Sequence, residues 1–334
     1  MDPLTQGALG AALPQSFAKK PFVLKASIFG FLAGMTADLD VFIRSSEDPL
    51  LFLEYHRQFT HSLIFIPVGG LLCGLLLYTL FGKRWKLSLT QSFLFCTLGY
   101  ATHALLDSGT SYGTQLFWPF NDERVSWNVI SIIDPLFTVP ILAGIIVASI
   151  KQKPIFARAG LTWAVLYMSL GFVQRDLAVT MGKELAAARG HTILRIEAKP
   201  SMANLLLWKT VYETPQRYYV DAVRPGISPK IFVGSSIAKL DVAKDFSWLA
   251  PNSQQARDIE RFRWFSKGYV AQDPVHLNRV IDVRYSMIPN RIAPLWSIEL
   301  TQSAPPNTHV KFLTNREGVI EKAQTLWSMM FEKL

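Results

Sequence analysis

Charged side chains are scarce in this sequence, 18% of 334 residues, against about a quarter in an ordinary soluble domain. That shortage, with half of the residues hydrophobic and a positive mean hydropathy, excludes a fully solvated globule and makes the bilayer the solvent for much of the chain. Cysteine is nearly absent. Cys73 and Cys96 both fall inside apolar runs, which excludes a disulfide framework and a zinc knuckle and leaves the redox compartment open. Basic stripes interleaved with aromatics are lacking as well, so the net charge of +9 implies no nucleic-acid partner. Cations flanking membrane helices account for it more simply. The opening "MDPLTQGALGAALPQSFAKK" carries Asp2 and no early Lys or Arg, which is not the pattern of a signal peptide.

What the sequence has in place of charge is long apolar runs. Residues 60–81, 88–107, 130–150 and 159–175 read as membrane spans by length and apolarity. Residues 22–37 make a fifth, softened by Gly30 and Gly34, and 3–17 a sixth, short and rich in small residues. The small-xxx-small pair Gly70 and Gly74 permits close helix approach, a pattern common by chance in apolar sequence. Lys19, Lys20 and Lys25, then Lys83, Arg84 and Lys86, then Lys151, Lys153 and Arg158 occupy alternate loops. By the positive-inside rule those loops are cytoplasmic, which puts both the N-terminus and residue 176 onward outside.

On that topology the unusual polar residues converge. Asp38 and Asp40 ("TADLD") end the second segment, His56 and His61 ("HRQFTH") open the third, and His103 and Asp107 ("THALLD") end the fourth, all at the outer face. Asp134 ("IIDPLF") and Gln6 belong to the same layer. Carboxylates at helix C-termini oppose the helix dipole and are costly to desolvate. Arg44, Arg57 and Arg124 supply some positive charge, but one divalent cation with histidine co-ligands would neutralise several carboxylates together. His103 and Asp107, i and i+4, share a helix face. Asp38 and Asp40, i and i+2, need the helix to unwind, and His56 and His61, five apart, need a loop or helix start between them.

Plainer readings exist for each position. His56 and Arg57 fit interfacial anchoring, Asp38 and Asp40 a polar helix stop, and His103 and Asp107 an interhelical hydrogen bond. Asp134 before Pro135 fits a helix cap better than a ligand, and Gln6 fits a structural role. His191, His276 and His309 have no ligand-like spacing around them.

Taken together, "MDPLTQGALGAAL", "GMTADLD", "HRQFTHS", "HALLDSGTSYGTQLFWPF" and "IIDPLFT" resemble the bacterial membrane-bound metal-dependent hydrolase family, which includes LexA-regulated inner-membrane hydrolases. The likeness runs in order through residues 1 to about 140, and "SMANLLLWKTVYETPQRYYVDAVRPG" looks like a later part of longer members. The resemblance implies metal-binding roles for Asp38, Asp40, His56, His61, His103 and Asp107. Many members have Thr-His in the opening helix where this chain has Thr5-Gln6, which puts a second metal in doubt. The H-x-x-x-D element is also similar to one in zinc-dependent phospholipases C.

From about residue 176 the character changes. "RDLAVTMGKELAAARG" reads as an amphipathic helix continuing from the last span and stopping near Gly190. Short β-type runs follow: "HTILRIEA", "LLLWKTVYET", "QRYYVDAV", "KIFVGSS" and "VIDVRYSMI", with turns at "RPGISP" and "IPNRIAP". A small antiparallel sheet and a C-terminal helix around 315–332 are expected. The fold class is therefore an α-helical membrane bundle of five to six helices, residues 1–175, followed by an α+β extracytoplasmic domain, residues 176–334, that caps the site or selects substrate.

The expected function is an inner-membrane, metal-dependent hydrolase of zinc or manganese, acting at the extracytoplasmic face on a phosphoester of a lipid or lipid-linked substrate. In it Arg57 would stabilise an oxyanion or phosphate and Asp40, where it does not bind metal, would serve as general base. The alternative is a non-enzymatic membrane protein with a structural metal site and an outer binding domain. Ion transport is disfavoured, because a conduction path needs polar residues across the span.

Overall fold

The computed structural model describes residues 1–226, 228–315 and 319–331. Two compact units emerge: Met1–Phe42 with Tyr55–Val173 and Met202–Asn204, and Ile43–Glu54 with Gln174–Ser201 and Leu205–Leu334.

The first unit is helical: α1 (Pro3–Phe17), α2 (Val23–Met35), α4 (Ile66–Leu77), α5 (Leu89–Gly109), α6 (Pro135–Lys151) and most of α7 (Ile155–Ala188); α3 (Leu51–Tyr55), between α2 and α4 in the chain, belongs almost wholly to the second unit. Every one of the six apolar segments is a helix. Their starts follow the local chemistry. Asp2 caps α1 with Pro3 in the first turn, Ser88 and Gln91 form a capping box on α5, and Asp134 caps α6 ahead of Pro135, each satisfying amides that lack an intrahelical partner.

Among the described residues, three helical stretches are long and apolar enough to cross a membrane: Lys20–Phe42, Leu63–Gly82 and Ile155–Ala188. The 17-residue α6 is apolar but short. α5 has the length, 21 residues, and is diluted by Gln91, His103 and Asp107.

α1, α2 and α5 meet at backbone contact. A Cβ on Gly10 would lie 2.6 Å from the Gly30 carbonyl oxygen, and one on Gly99 2.4 Å from that same oxygen. Only glycine allows this approach, and the crossing sets α2 and α5 side by side. Around it Ala26, Phe29, Ala33, Cys96 and Tyr100 form the core. The basic residues gather at the ends of these helices remote from His103 and Asp107. There Lys25 Nζ donates to the Trp85 carbonyl at 2.7 Å and Arg158 Nε to the Ser16 carbonyl at 3.0 Å.

The second unit holds two antiparallel four-stranded sheets rather than one: β1 (Arg195–Pro200), β2 (Trp208–Glu213), β3 (Arg217–Arg224) and β4 (Lys230–Ala238), then β5 (Val270–Gln272), β6 (Arg279–Asp282), β7 (Trp296–Glu299) and β8 (Lys311–Thr314), each in chain order. Val211, Tyr218 and Val220 from the first sheet share a buried cluster with Ala271 and Ile281 from the second and with Tyr269 just before it.

The expected amphipathic extension of the last span is α7 itself, continuous to Ala188. Two helices lie between the sheets, α8 (Val242–Asp245) and α9 (Gln254–Phe265), and the C-terminal helix is α10 (Val319–Phe331). Residues 316–318 and 332 of the helix expected there, and Ile227 of the "RPGISP" turn, lie outside the described residues. Of "VIDVRYSMI", only the part up to Asp282 is strand. Segment 43–54 is tied into this unit by Arg261, whose Nη1 and Nη2 reach Asp48 at 3.0 and 2.7 Å and whose Nε reaches Glu54 at 2.5 Å.

Candidate metal centre

Beyond Met35 the second helix tightens into a 3-10 turn, Thr36–Phe42. Such turns rarely exceed four residues, and this one runs for seven. With about three residues per turn, consecutive side chains point about 120° apart. Asp38, Leu39 and Asp40 accordingly take three directions. Asp38 faces His61 and His103, Asp40 faces His56 and His61, and Leu39 points outward.

Four atoms close a ring. His61 Nε2 lies 3.4 Å from Asp38 Oδ1 and 3.3 Å from Asp107 Oδ2. His103 Nε2 lies 3.3 Å from Asp38 Oδ1 and 3.6 Å from Asp107 Oδ2. All four atoms are buried and without a hydrogen-bond partner. Charge-assisted N–H···O bonds run about 2.7–2.9 Å, so these separations are too long for protonated histidines bonded to the carboxylates. Three of the four match the edge of a tetrahedron around zinc, about 3.3–3.4 Å for ligand bonds of 2.0–2.1 Å, and the fourth, 3.6 Å, is slightly longer. The donor chemistry agrees. His103 Nδ1 lies 2.6 Å from the Gly34 carbonyl, which accepts its proton, so that in the neutral ring Nε2 offers its lone pair toward the two carboxylates. Asp38, His61, His103 and Asp107 therefore form a group that could hold a metal ion.

A second group, Asp38, Asp40 and His56, has its atoms equally close but differs in kind. His56 Nδ1 sits 2.7 Å from Asp40 Oδ1, a hydrogen-bond length. Asp40 Oδ2 accepts from Thr60 Oγ1 at 2.6 Å and from the Arg57 amide at 3.0 Å, and lies 3.1 Å from His61 Nδ1. Asp40 thus stands behind His61, the usual place for a carboxylate that orients a metal-binding histidine.

Arg57 adjoins both groups. Its Nε is 2.9 Å from Asp107 Oδ2, Nη1 donates to Thr110 Oγ1 at 2.9 Å, and the guanidinium lies 4.8 Å from the centre of the Tyr112 ring. Its backbone is left-handed, φ +65°, a conformation costing about 1–3 kcal/mol that persists where surroundings over-determine it. Here the Arg57 amide is held by Asp40 and its carbonyl by the Gln115 amide at 3.0 Å. Arg124 flanks the same ring at 5.1 Å, and its Nη2 donates to the carbonyls of His56 and Gly113, 3.1 Å each.

Gln6 is fully buried, and its Nε2 donates to Asp107 Oδ1 at 2.8 Å. The Met1 amino group pairs with the same oxygen. Asp134 is a helix cap, its carboxylate accepting from the Phe137 amide and from the Tyr167 hydroxyl, and it joins neither group. Arg44 lies in the other unit. Sequence reasoning did not single out Thr60, Thr110 or Tyr112. Each is an ordinary residue whose part depends on a turn that spacing does not disclose.

Residues 1–178, more than half of the chain, match the family described as YdjM inner membrane protein, and the chain belongs to that family. It is 31% identical to the inner membrane protein YbcI of Escherichia coli (strain K12) over 134 residues, 39% of this chain and 75% of that one. To YfhP, an uncharacterized protein of Bacillus subtilis (strain 168), it is 26% identical over 219 residues, 64% of each chain. No solved structure matches.

Proposed function

We propose that this member of an inner membrane protein family is a metal-dependent hydrolase in which Asp38, His61, His103 and Asp107 hold one divalent cation, zinc by the mixed nitrogen and oxygen donors and the tetrahedral edges, with manganese second. The observation that carries the reading is the ring of four buried donor atoms, none of them in a hydrogen bond, with the Arg57 guanidinium beside one of them. A metal bound there supplies an activated water and polarises the scissile group. Asp40 fixes the orientation of His61 and, with both oxygens engaged, acts as a positioning residue rather than as a proton carrier. Arg57 presents a permanent positive charge beside Asp107, suited to a phosphoryl oxygen. Among the four ligands Asp38 is the one with appreciable exposure, 24% of its side chain, so substrate enters past it. The reaction is cleavage of a phosphoester of a lipid or lipid-linked substrate at the extracytoplasmic face, that side being opposite to the basic loops.

The completeness of the ring favours a second reading. Four protein ligands make a closed site of the structural kind, whereas catalytic zinc keeps an open position. Elemental analysis of the detergent-purified protein separates the outcomes, with a His103→Ala/Asp107→Ala variant of confirmed fold beside it. One metal per chain, lost in the variant together with cleavage of a phosphodiester, upholds the hydrolase. One metal with no cleavage by the parent assigns the site to structure, and no metal in either, even after reloading, removes both readings.

A further inference from the structure

Large apolar side chains stand exposed next to the metal ligands in the chain and on the loop beside them. Leu39, the residue between Asp38 and Asp40, is 59% exposed, and Phe42, at the end of the same turn, 77%. Leu63 and Ile64, two and three residues after His61, are exposed as well. The Leu63 amide donates to the Leu116 carbonyl at 2.9 Å, which brings the "FWPF" loop alongside. From that loop Phe117 projects, and Phe120 at 82%. The neighbouring Gln115 amide donates to the Arg57 carbonyl, so the same loop is fastened to the backbone of the residue beside the ring.

Water is a poor solvent for such a surface, and scattered single exposures would need no comment. These six are not scattered. They lie close in sequence to the ligands Asp38 and His61 or on the loop fastened at Leu63, and Leu63 and Ile64 open Leu63–Gly82, a helix of membrane length whose Leu71, Leu72, Leu75 and Leu76 are exposed too. Continuity with that surface makes the bilayer the occupant. We infer that the metal ring lies within the interfacial layer of the membrane rather than above it, and that its substrate is a membrane phospholipid arriving sideways from the leaflet. Its phosphate meets Arg57 while its acyl chains lie along Phe117 and Phe120. The substrate half of this inference rests on the hydrolase reading; the position of the ring does not.

Two measurements on the full chain test the two halves. In a Cys73→Ala/Cys96→Ala background, nitroxides are placed at Phe42→Cys, Ile64→Cys and Phe120→Cys, and the protein is set in nanodiscs of phosphatidylethanolamine and phosphatidylglycerol. Relaxation by oxygen exceeding that by an aqueous nickel chelate at all three sites upholds the position. Nickel dominating at Phe42 or Phe120, or shielding from both relaxants as under a protein partner, overturns it.

Phe117→Ser/Phe120→Ser is then compared with the parent on phosphatidylglycerol vesicles and on bis(p-nitrophenyl) phosphate in solution, with metal content measured in each sample. The ratio of vesicle to solution turnover is expected to fall at least about ten-fold, the scale of losing apolar burial for the chains. An unchanged ratio overturns lateral entry. Metal-loaded parent protein that cleaves neither probe overturns the hydrolase reading and the substrate with it, while labels in lipid still uphold the position of the ring.

Discussion

Asp38 and Asp40, one residue apart on the same 3-10 turn, meet different partners and are assigned different roles, which single substitutions separate. Asp38→Asn removes an anionic donor from the ring and is expected to abolish stoichiometric metal. Asp40→Asn leaves the four donors in place but loosens His61, and metal affinity is expected to fall about 10–100-fold, as for other lost orienting partners. Competition with a chelator measures both; equal behaviour of the two variants would dissolve the distinction. Arg57→Lys keeps the charge but loses the planar fork that spans Asp107 and Thr110. Metal content should persist while phosphodiester turnover drops roughly 10²–10³-fold, the usual effect of losing one aimed donor. At this scale the sequence disclosed which residues converge, because His103 and Asp107 share a helix face and the D-x-D pair marks an unwinding helix end. It did not disclose the division between ring and support. That depends on hydrogen bonds such as Thr60 to Asp40, made by residues with no pattern of their own.

Among the elements, the glycine crossing decides whether the ring exists. His103 is oriented by a carbonyl of α2, that of Gly34, so the spacing of α2 and α5 is transmitted directly to a ligand. A methyl group on Gly99 would stand 2.4 Å from the Gly30 carbonyl oxygen and 2.6 Å from its Cα, backbone atoms that cannot rotate away. Gly99→Ala is therefore expected to cost about 1–3 kcal/mol by overpacking and to weaken metal binding through His103. Ser108→Ala, on the same helix, should disturb metal binding far less, since its hydroxyl only donates back to the Ala104 carbonyl. Thermal unfolding and chelator competition on the two variants check this. Apolar length made all six helices of the first unit legible. In the second unit β5, β7 and β8 were not, because runs of three or four residues are too short to show alternation. α9 does carry a sequence signal: Ser253 caps it, and Ile259, Phe262 and Phe265 recur on one buried face.

For the whole molecule, the metal ligands belong to one unit only, drawn from three places far apart in the sequence, Asp38, His61 and the pair His103–Asp107. Chelation should therefore lower the unfolding temperature of the first unit, by the free energy that saturating metal supplies, about 4 kcal/mol at a thousandfold excess over Kd. The melting of the sheet unit serves as the internal comparison and should not move with metal.

That second unit carries its own electrostatic signature. Lys209 on β2 is fully enclosed, its Nζ donating to Ser286 Oγ at 2.8 Å and to the Arg291 carbonyl at 3.2 Å, and it pairs in register with Lys199 on β1. Burial, with the Lys199 charge adding to it and Asp282 opposing, pushes its amine down to about 7. The sign follows from proton binding. Between pH 7 and the ordinary lysine range near 10.5 the unfolded chain holds a proton that the folded chain does not, so stability rises with pH across that window and is flat below it. Lys209→Met is expected to remove that rise, gaining most over the parent at pH 7 and below and least near pH 10. Denaturant titrations of sheet signal at pH 6, 8 and 9.5 measure the slope. A variant as steep as the parent would mean that Lys209 stays charged in its enclosure, solvated by Ser286 and the Arg291 carbonyl alone.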